Sequence, residues 1–453
     1  MPTSYPHNAS RWSELLPELL SAIALEVSAE DFNAKSIIPL TLVCKHWHGS
    51  LVSTATHWTK ISGRSEKLAA LSLRRSGAAL LTMRFNMEEI EPEFSELITP
   101  HVGRIKDLVL RNLTTTDDLF QKFPGFPQSM PSLKKLELKL LDRSDHWENR
   151  VDPFQSLPSA LKYLLLERIP LYPSFLKLRN LTYFKFKDLQ FHHHIDKLFK
   201  FLKGNRLLET VDLDIDIENP NFRTPSLPGQ VNNLKLSYLS VSSKDPGVVR
   251  TLISKIRTPS RGSLHITPRN PSISFGQILF HAPTREFVEK LSPDRMTFHF
   301  GSFLELSGQN GIFRFRGPPN PPMNLADIPL SSFKKIRELY LWIGHPSMLD
   351  PSRFPALEVL FICEGKLSAV LSPFFLSPES SPMLKTITIK DCQLSTDFMG
   401  KLLQFVKHKK TAGTPLSCIE IVHKAPGADD PFHKKLRQLG KHVQVVHKNM
   451  RYW

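Results

Sequence analysis

Cysteine is scarce in this chain, with four among 453 residues, at positions 44, 363, 392 and 418. They are too few and too scattered for a disulfide framework, and none forms a C-x-x-C zinc half-site. A reducing compartment is expected, and the Asn-x-Ser/Thr triplets at Asn8, Asn112 and Asn180 are read as chance. No apolar run reaches the roughly 18 residues of a membrane helix. The opening MPTSYPHNAS lacks the basic start of a secretory leader. The expected location is cytoplasmic and/or nuclear, with no membrane partner.

The local scaffolds of several chemistries are missing too. There is no G-x-x-x-x-G-K-[ST] loop, no G-x-G-x-x-G after a strand, no H-E-x-x-H and no G-x-S-x-G. His192, His193 and His194 are consecutive, and three neighbours in regular structure cannot face one ion. A solvated loop is expected there. The chain is read as a non-enzyme that needs no metal or cofactor.

What is present is enough apolar sequence, 41%, to bury a sizeable core. Two compact apolar segments come first. In the first, Leu15, Leu16, Leu19, Leu20, Ile23 and Val27 recur at helical spacing, with Ser13 as N-cap and Pro17 in the first turn. In the second, Ile37, Leu40, Val43, Cys44, Trp47 and Leu51 predict one helix capped by Ser36, with Pro39 in its first turn. Gly49 is then expected to permit a break before a third short helix ending near Trp58. Three helices in some fifty residues bury little alone. Trp47 and Trp58 therefore either fill the module's own core or face a partner.

The ordered set LLPELL, LTLVCKHW and HWTKI, within residues 11–61, resembles the F-box, the helical module by which substrate receptors dock on the Skp-type adaptor of Skp-cullin-F-box ubiquitin ligases. The resemblance implies an adaptor surface formed by Leu16, Pro17, Leu20, Leu42, Val43, Cys44, Trp47 and Trp58. Through the adaptor it implies a cullin ligase as partner. Residues 67–85 and the following FSELITPHVGRIKDLVL resemble the start of the repeat region in fungal F-box proteins.

Beyond residue 61 a pattern L-x-x-L-x-L recurs ten times, starting at residues 105, 133, 161, 181, 208, 236, 336, 357, 384 and 416. Most of these spacings lie within the 20 to 29 residues of a leucine-rich repeat. Each unit is read as a buried strand plus a returning helix, stacked so that neighbours share one core. Residues 67–85 read as a helix closed by Gly77 and a first strand. Only LKTITIKDCQL carries an Asn or Cys at the turn after its strand. Elsewhere Leu141, Ile169 or Leu189 stands there. Between 244 and 330, Pro and Gly accumulate, and degenerate repeats with long loops are expected. The expected fold is α/β: a short helical F-box module, then an irregular leucine-rich-repeat solenoid of horseshoe form over 62–453.

The net charge of +16 is unevenly spread: residues 1–61 hold four Lys/Arg against five Asp/Glu, whereas residues 401–453 hold eleven against three. This terminal excess is either a hydrated outer helical face or an electropositive surface for an acidic segment, a phosphopeptide or a nucleic acid. Side chains alternating with the buried strand positions give the candidate substrate face: Tyr183, Lys185, Lys187, Asp212, Asp214, Tyr340, Trp342 and Phe361. Aromatics among both signs of charge suit a protein substrate. The functional expectation is a substrate-recognition subunit of a Skp-cullin-F-box ligase. The alternative is a leucine-rich-repeat scaffold or nucleic-acid-binding protein with a basic C-terminal surface.

Overall fold

The structure is a computed structural model. It describes residues 15–31, 34–114, 122–123, 126, 129–141, 152, 154, 157–190, 195–216, 230–231, 235–257, 259, 261–270, 278, 281–299, 303–317, 333–342, 350–365, 374, 379, 381–392, 394–423 and 431–449. Ser13 and the His192–His194 run lie outside the described residues, as do the side chains at 188–190, Leu189 among them. No described helix is long and apolar enough to cross a membrane. The fold is mixed α/β, built on mostly parallel sheet, and the chain divides into two compact units, 1–210 and 211–453. The helical module and the first six strands share the first unit.

All thirty apolar positions of the ten L-x-x-L-x-L matches are buried, none more than 5% exposed. Each match becomes a strand: β3 (Ile105–Leu113), β4 (Lys135–Leu140), β5 (Tyr163–Glu167), β6 (Tyr183–Gln190), β7 (Thr210–Asp216), β8 (Tyr238–Ser243), β13 (Glu338–Trp342), β14 (Val359–Gly365), β15 (Thr386–Cys392) and β16 (Cys418–His423). The second residue of a match repeatedly donates its backbone N–H to the same position one strand earlier. In the first unit these bonds run Lys134 to Lys106, Lys162 to Lys134, Thr182 to Lys162 and Glu209 to Thr182; in the second, Glu358 to Arg337, Lys385 to Glu358 and Ser417 to Lys385. Asn112, Arg168 and Asp391 have positive φ, and each stands seven residues after the start of its match. The pattern thus recurs in backbone conformation as well as in burial.

In the first unit, β1 (Lys60–Ser62), β2 (Leu81–Asn86) and β3 to β6 follow one another in order, all parallel. Helices α4 (Glu66–Arg75) and α5 (Pro92–Ile98) connect β1 to β2 and β2 to β3, after α1 (Pro17–Asp31), α2 (Ile37–Thr41) and α3 (Lys45–Ser53). Gly77, at φ 54, follows the end of α4 as expected. The expected helix in every repeat is a correction. Between β5 and β6 there is only a short 3-10 turn, Phe175–Lys177, in a segment where Pro170 and Pro173 lack the N–H donors a helix needs. Phenylalanines fill the space instead. Phe154 packs on Phe126 and Phe175, with ring centroids 5.9 and 4.9 Å away, and Phe85 packs on Phe94 and Phe123 at 5.4 and 5.5 Å. α6 (Ile195–Gly204) then sets Phe201 against Phe184 at 4.4 Å.

The second unit contains a larger correction. The stretch expected to hold degenerate repeats and long loops begins regularly, with β8, α7 (Pro246–Lys255), β9 (Gly262–Pro268) and α8 (Ala282–Leu291). An antiparallel meander follows: β10 (Arg295–His299), β11 (Phe303–Gly308) and β12 (Gly311–Arg316). Because β12 pairs with β9 and β10 with β13, both in parallel, the spatial order is β8-β9-β12-β11-β10-β13-β14-β15-β16-β17, where β17 is Gln444–Asn449. β11 and β12 carry the chain back across the sheet from β10 to β9 without breaking the ladder. α9 (Thr396–Thr411) and α10 (Pro431–Gly440) precede β16 and β17 and pack on each other.

Gly262 and Gly311 are register partners with φ of 127° and 141°, the region only glycine enters freely. A Cβ on Gly311 would lie 1.7 Å from the Gly262 carbonyl oxygen, and one on Gly262 would lie 1.9 Å from that of Ser237. Gly311→Ala is therefore expected to destabilise the protein by at least about 2–3 kcal/mol, read as a lower urea midpoint. An unchanged midpoint would show that β9 and β12 do not approach this closely.

Candidate functional site

In the helical module, Pro17 opens α1, where its missing N–H leaves no bond unmade. Leu20 and Ala24 turn inward to Ala34, Ile37, Trp47, Leu51 and Trp58, which form the module's core. The expected single second helix is two. Ser36 makes no side-chain cap, and α2 ends after one turn, where the N–H groups of Leu42 and Val43 donate to the carbonyls of Pro39 and Leu40. Cys44 is extended, at φ −161°, and its thiol accepts the Trp47 N–H at 3.5 Å as the N-cap of α3. The Cys-x-x-Trp spacing is thus a capping device. Gly49 lies inside α3, and the chain turns only at Thr54.

Trp58 is fully buried, donates its indole N–H to the Leu51 carbonyl at 2.9 Å and carries the Arg75 guanidinium 4.3 Å from a ring centroid. Lys60 reaches back to the Ser28 carbonyl at 3.2 Å, and β1 pairs directly with β2. The module therefore grows into the sheet of its own unit without a free linker. Of the eight residues expected to meet an adaptor, Leu20, Trp47 and Trp58 support the module from within. Leu16, Pro17, Leu42 and Val43 lie on its outside, with Leu42 77% and Leu16 61% exposed, and Cys44 is half-buried beside them.

Helix α1 is apolar on more than its inner stripe, since Leu19, Ile23, Leu25 and Val27 are exposed as well. Seven of the ten exposed large apolar side chains among the described residues lie between positions 16 and 43. His46 fixes this edge by donating to the Leu15 carbonyl at 2.9 Å. His57 is buried and shares a hydrogen bond with the Ser21 hydroxyl at 3.1 Å, tying the 3-10 turn Ala55–Trp58 to α1. Burial lowers its pKa, so the unfolded chain, with a His pKa of about 6.5, binds the proton more readily than the folded one. Stability rises with pH where the unfolded state binds more protons. The His57 contribution is complete above about pH 6.5 and is lost as pH falls through the lowered folded value. A thermal-unfolding series from neutral to acidic pH should fall less steeply for His57→Gln than for the unmodified chain. Equal slopes would remove His57 as the cause.

The expected substrate residues fall into two groups, one in each unit. In the first unit Tyr183 stacks on its register partner Tyr163, centroids 4.0 Å apart and planes 8° from parallel. Lys135 lies 4.5 Å from the Tyr163 ring and 2.9 Å from Glu137, and Lys139 pairs with Glu167 at 3.1 Å. Burial pushes the Tyr163 hydroxyl pKa up, with a further rise from its bond to Tyr183. Lys185 and Lys187 follow on the same face, half-buried.

In the second unit Tyr340, Trp342 and Phe361 come together, with centroid separations of 5.4 to 6.4 Å. The insertion completes the group: His299 of β10 stacks on Trp342 at 4.4 Å and 3°, and Phe303 of β11 meets His299 edge-on at 5.4 Å. Arg295 lies 5.6 Å from the Tyr340 ring and bonds Glu338 at 2.6 Å, and Glu338 also accepts the Tyr340 hydroxyl at 3.2 Å. Burial, then Glu338, raises the Tyr340 pKa, and the Glu338 hydrogen bond raises that of Arg295. Neighbouring charges on this face are also paired, Arg314 with Glu305 and Arg269 with Asp214. Asp212 lies on the same strand as Asp214, half-buried. The result is an aromatic surface whose flanking cations already hold carboxylates.

Arg295, His299, Phe303 and Tyr163 were missing from the sequence reading. The signal for the first three was the Gly-Gln-Asn-Gly turn between FLEL and IFRF, a hairpin mark. Tyr163 occupies the same place in its match as Tyr183 does. The basic helices behave differently from the aromatic face: Lys407, Lys410, Lys434, Arg437 and Lys441 are exposed, and Lys401 pairs with Asp397 at 2.9 Å. Lys409 is buried and donates to the Ser381 carbonyl at 2.8 Å, which makes it a structural residue. No protein-family model matches this chain, and no curated protein matches it.

Proposed function

We propose that this chain is the substrate-recognition subunit of a Skp-cullin-F-box ubiquitin ligase. In this reading residues 11–61 are an F-box docking on the Skp-type adaptor, and the rest is a leucine-rich-repeat solenoid of horseshoe form that binds a protein substrate. The observation that carries it is the concentration of exposed apolar side chains between Leu16 and Val43, on a module whose own core is already filled. Each such side chain removed from water contributes roughly 1.5–3 kcal/mol, so three or four offset much of the association cost. The repeated burial, backbone bonds and left-handed positions support the solenoid.

The mechanism is proximity. A receptor with no reacting group of its own raises the local concentration of its cargo near a separate conjugating enzyme. The direct join from Trp58 through β1 to β2 favours a fixed presentation of the first-unit sheet relative to the module. Hydrogen exchange of the full chain with and without purified adaptor tests the docking: protection is expected over residues 15–43, and protection confined to other segments would oppose it.

The second reading, a nucleic-acid-binding scaffold, draws on the exposed cations of α9 and α10. It expects affinity that falls steeply with salt. The aromatic face of the second unit does not share that character, because Arg295, Arg314 and Arg269 are paired there.

A further inference from the structure

A cavity of about 440 Å³ opens in the first unit between the loop that enters β5 and the loop that enters β6. The two strands are parallel, so both loops lie at the same end of the sheet. Leu157, Leu161 and Leu178 give the cavity an apolar part, and Ser159, Lys177, Arg179 and Asn180 give it a polar one. The volume falls within the range of small-molecule sites, which join an apolar wall to a few placed polar groups; here most of the lining residues are polar, Ser174 among them. No carboxylate is among its described lining residues, although two cations are. Asp152, which is bonded to the lining Ser174, accepts from the Ser174 N–H and hydroxyl and from the Phe154 N–H.

Arg179 is held in advance of any ligand. Its Nη1 donates to the carbonyls of Leu176 and Leu178, the latter at 2.7 Å. Gly204, the last residue of α6, closes against the same group, and a Cβ there would come within 2.9 Å of Nη1. With Nη1 committed, the Nε and Nη2 edge makes no hydrogen bond among the described residues. Asn180 is fixed by its amide donating to the Ser159 carbonyl at 3.2 Å. A planar guanidinium fork matches a carboxylate by two parallel bonds.

We propose that this cavity binds a carboxylate carried on an apolar group, with the Arg179 fork and Lys177 taking the anion and Leu157, Leu161 and Leu178 taking the apolar part. The same chemistry is offered by a small free organic acid and by the C-terminal leucine of a peptide. The site is independent of the ligase reading, since it uses none of the module's surface and none of the aromatic cluster.

The test is calorimetric titration of the full chain with 4-phenylbutyrate, its amide, inorganic phosphate, and acetyl-Gly-Gly-Leu as free acid and as amide. At least one free acid is expected to bind saturably, with its amide weaker by about tenfold or more. Arg179→Gln should lose a similar factor with its unfolding midpoint unchanged, and Gly204→Ala should weaken binding by displacing the guanidinium. Tighter binding of the peptide acid than of 4-phenylbutyrate would assign the site to chain ends, and the reverse to small acids. Equal binding of acids and amides, equal binding by Arg179→Gln, phosphate binding as strong as that of the acids, or no saturable binding would each overturn the proposal.

Discussion

A chain carrying Leu42→Asp and Val43→Asp is expected to lose adaptor binding by at least about a hundredfold, roughly 3 kcal/mol, with little change in its own stability. Both side chains are exposed in the turn between α2 and α3, so folding has not used their apolar surface. Substitutions at such positions usually change stability by about 0.5 kcal/mol or less. In a complex the same change removes two buried apolar groups and forces two carboxylates out of water. Trp58→Ala makes the opposite pattern, because the indole is fully buried and its N–H is bonded within the module. It is expected to cost about 3–5 kcal/mol of stability and to weaken adaptor binding only through unfolding. Pull-down with purified adaptor, paired with thermal unfolding, separates the two. Loss of stability in the Asp variant with binding retained would reverse the assignment of inside and outside.

Replacing Tyr340 and Trp342 together by Ala is expected to abolish substrate capture, a change of at least about 2 kcal/mol for each central aromatic, while adaptor affinity stays unchanged. Their rings are half-buried among His299 and Phe361, so some packing energy is lost too, on the order of 0.5–1.5 kcal/mol per aromatic pair. The comparison that isolates binding is Lys434→Gln with Lys435→Gln and Arg437→Gln on α10. Those changes should slow or weaken association more at low salt than at high. Quantitative co-precipitation under proteasome inhibition reads both variants in one experiment. Undiminished capture by the Tyr340/Trp342 variant, together with loss of RNA or DNA binding by the α10 variant, would favour the nucleic-acid reading.

The strands were legible because their signal is local. A buried parallel strand needs apolar residues at fixed intervals, and Leu136, Leu164, Phe184, Leu339 and Ile419 each stand at the same place in their match. The connections were less legible, since a phenylalanine such as Phe126 or Phe154 fills a core from irregular backbone and leaves no period to read. Pairing order was not legible from the period alone. β10 joins β13 rather than β9 because a hairpin intervenes, and only the Gly-Gln-Asn-Gly turn marks it.

At the candidate site, Tyr340, Trp342 and Phe361 were placed on one face by strand alternation, which parallel register then brought together. His299, Phe303 and Arg295 reached them through the reordered strands, so spacing in sequence could not show the contact. In the module, helical period alone could not separate Leu19 from Leu20, because α1 is apolar on both stripes. Which stripe faces the core depends on where Trp47 and Trp58 sit, and that is fixed by the Cys44 cap and the turn at Thr54.

Isothermal titration of the purified full chain with a purified Skp-type adaptor tests the central claim most directly. The expected result is a saturable one-to-one complex with a negative heat-capacity change, the mark of apolar burial, lost on Leu42→Asp with Val43→Asp. No heat of binding from a folded chain, or binding that the double substitution leaves intact, would contradict it.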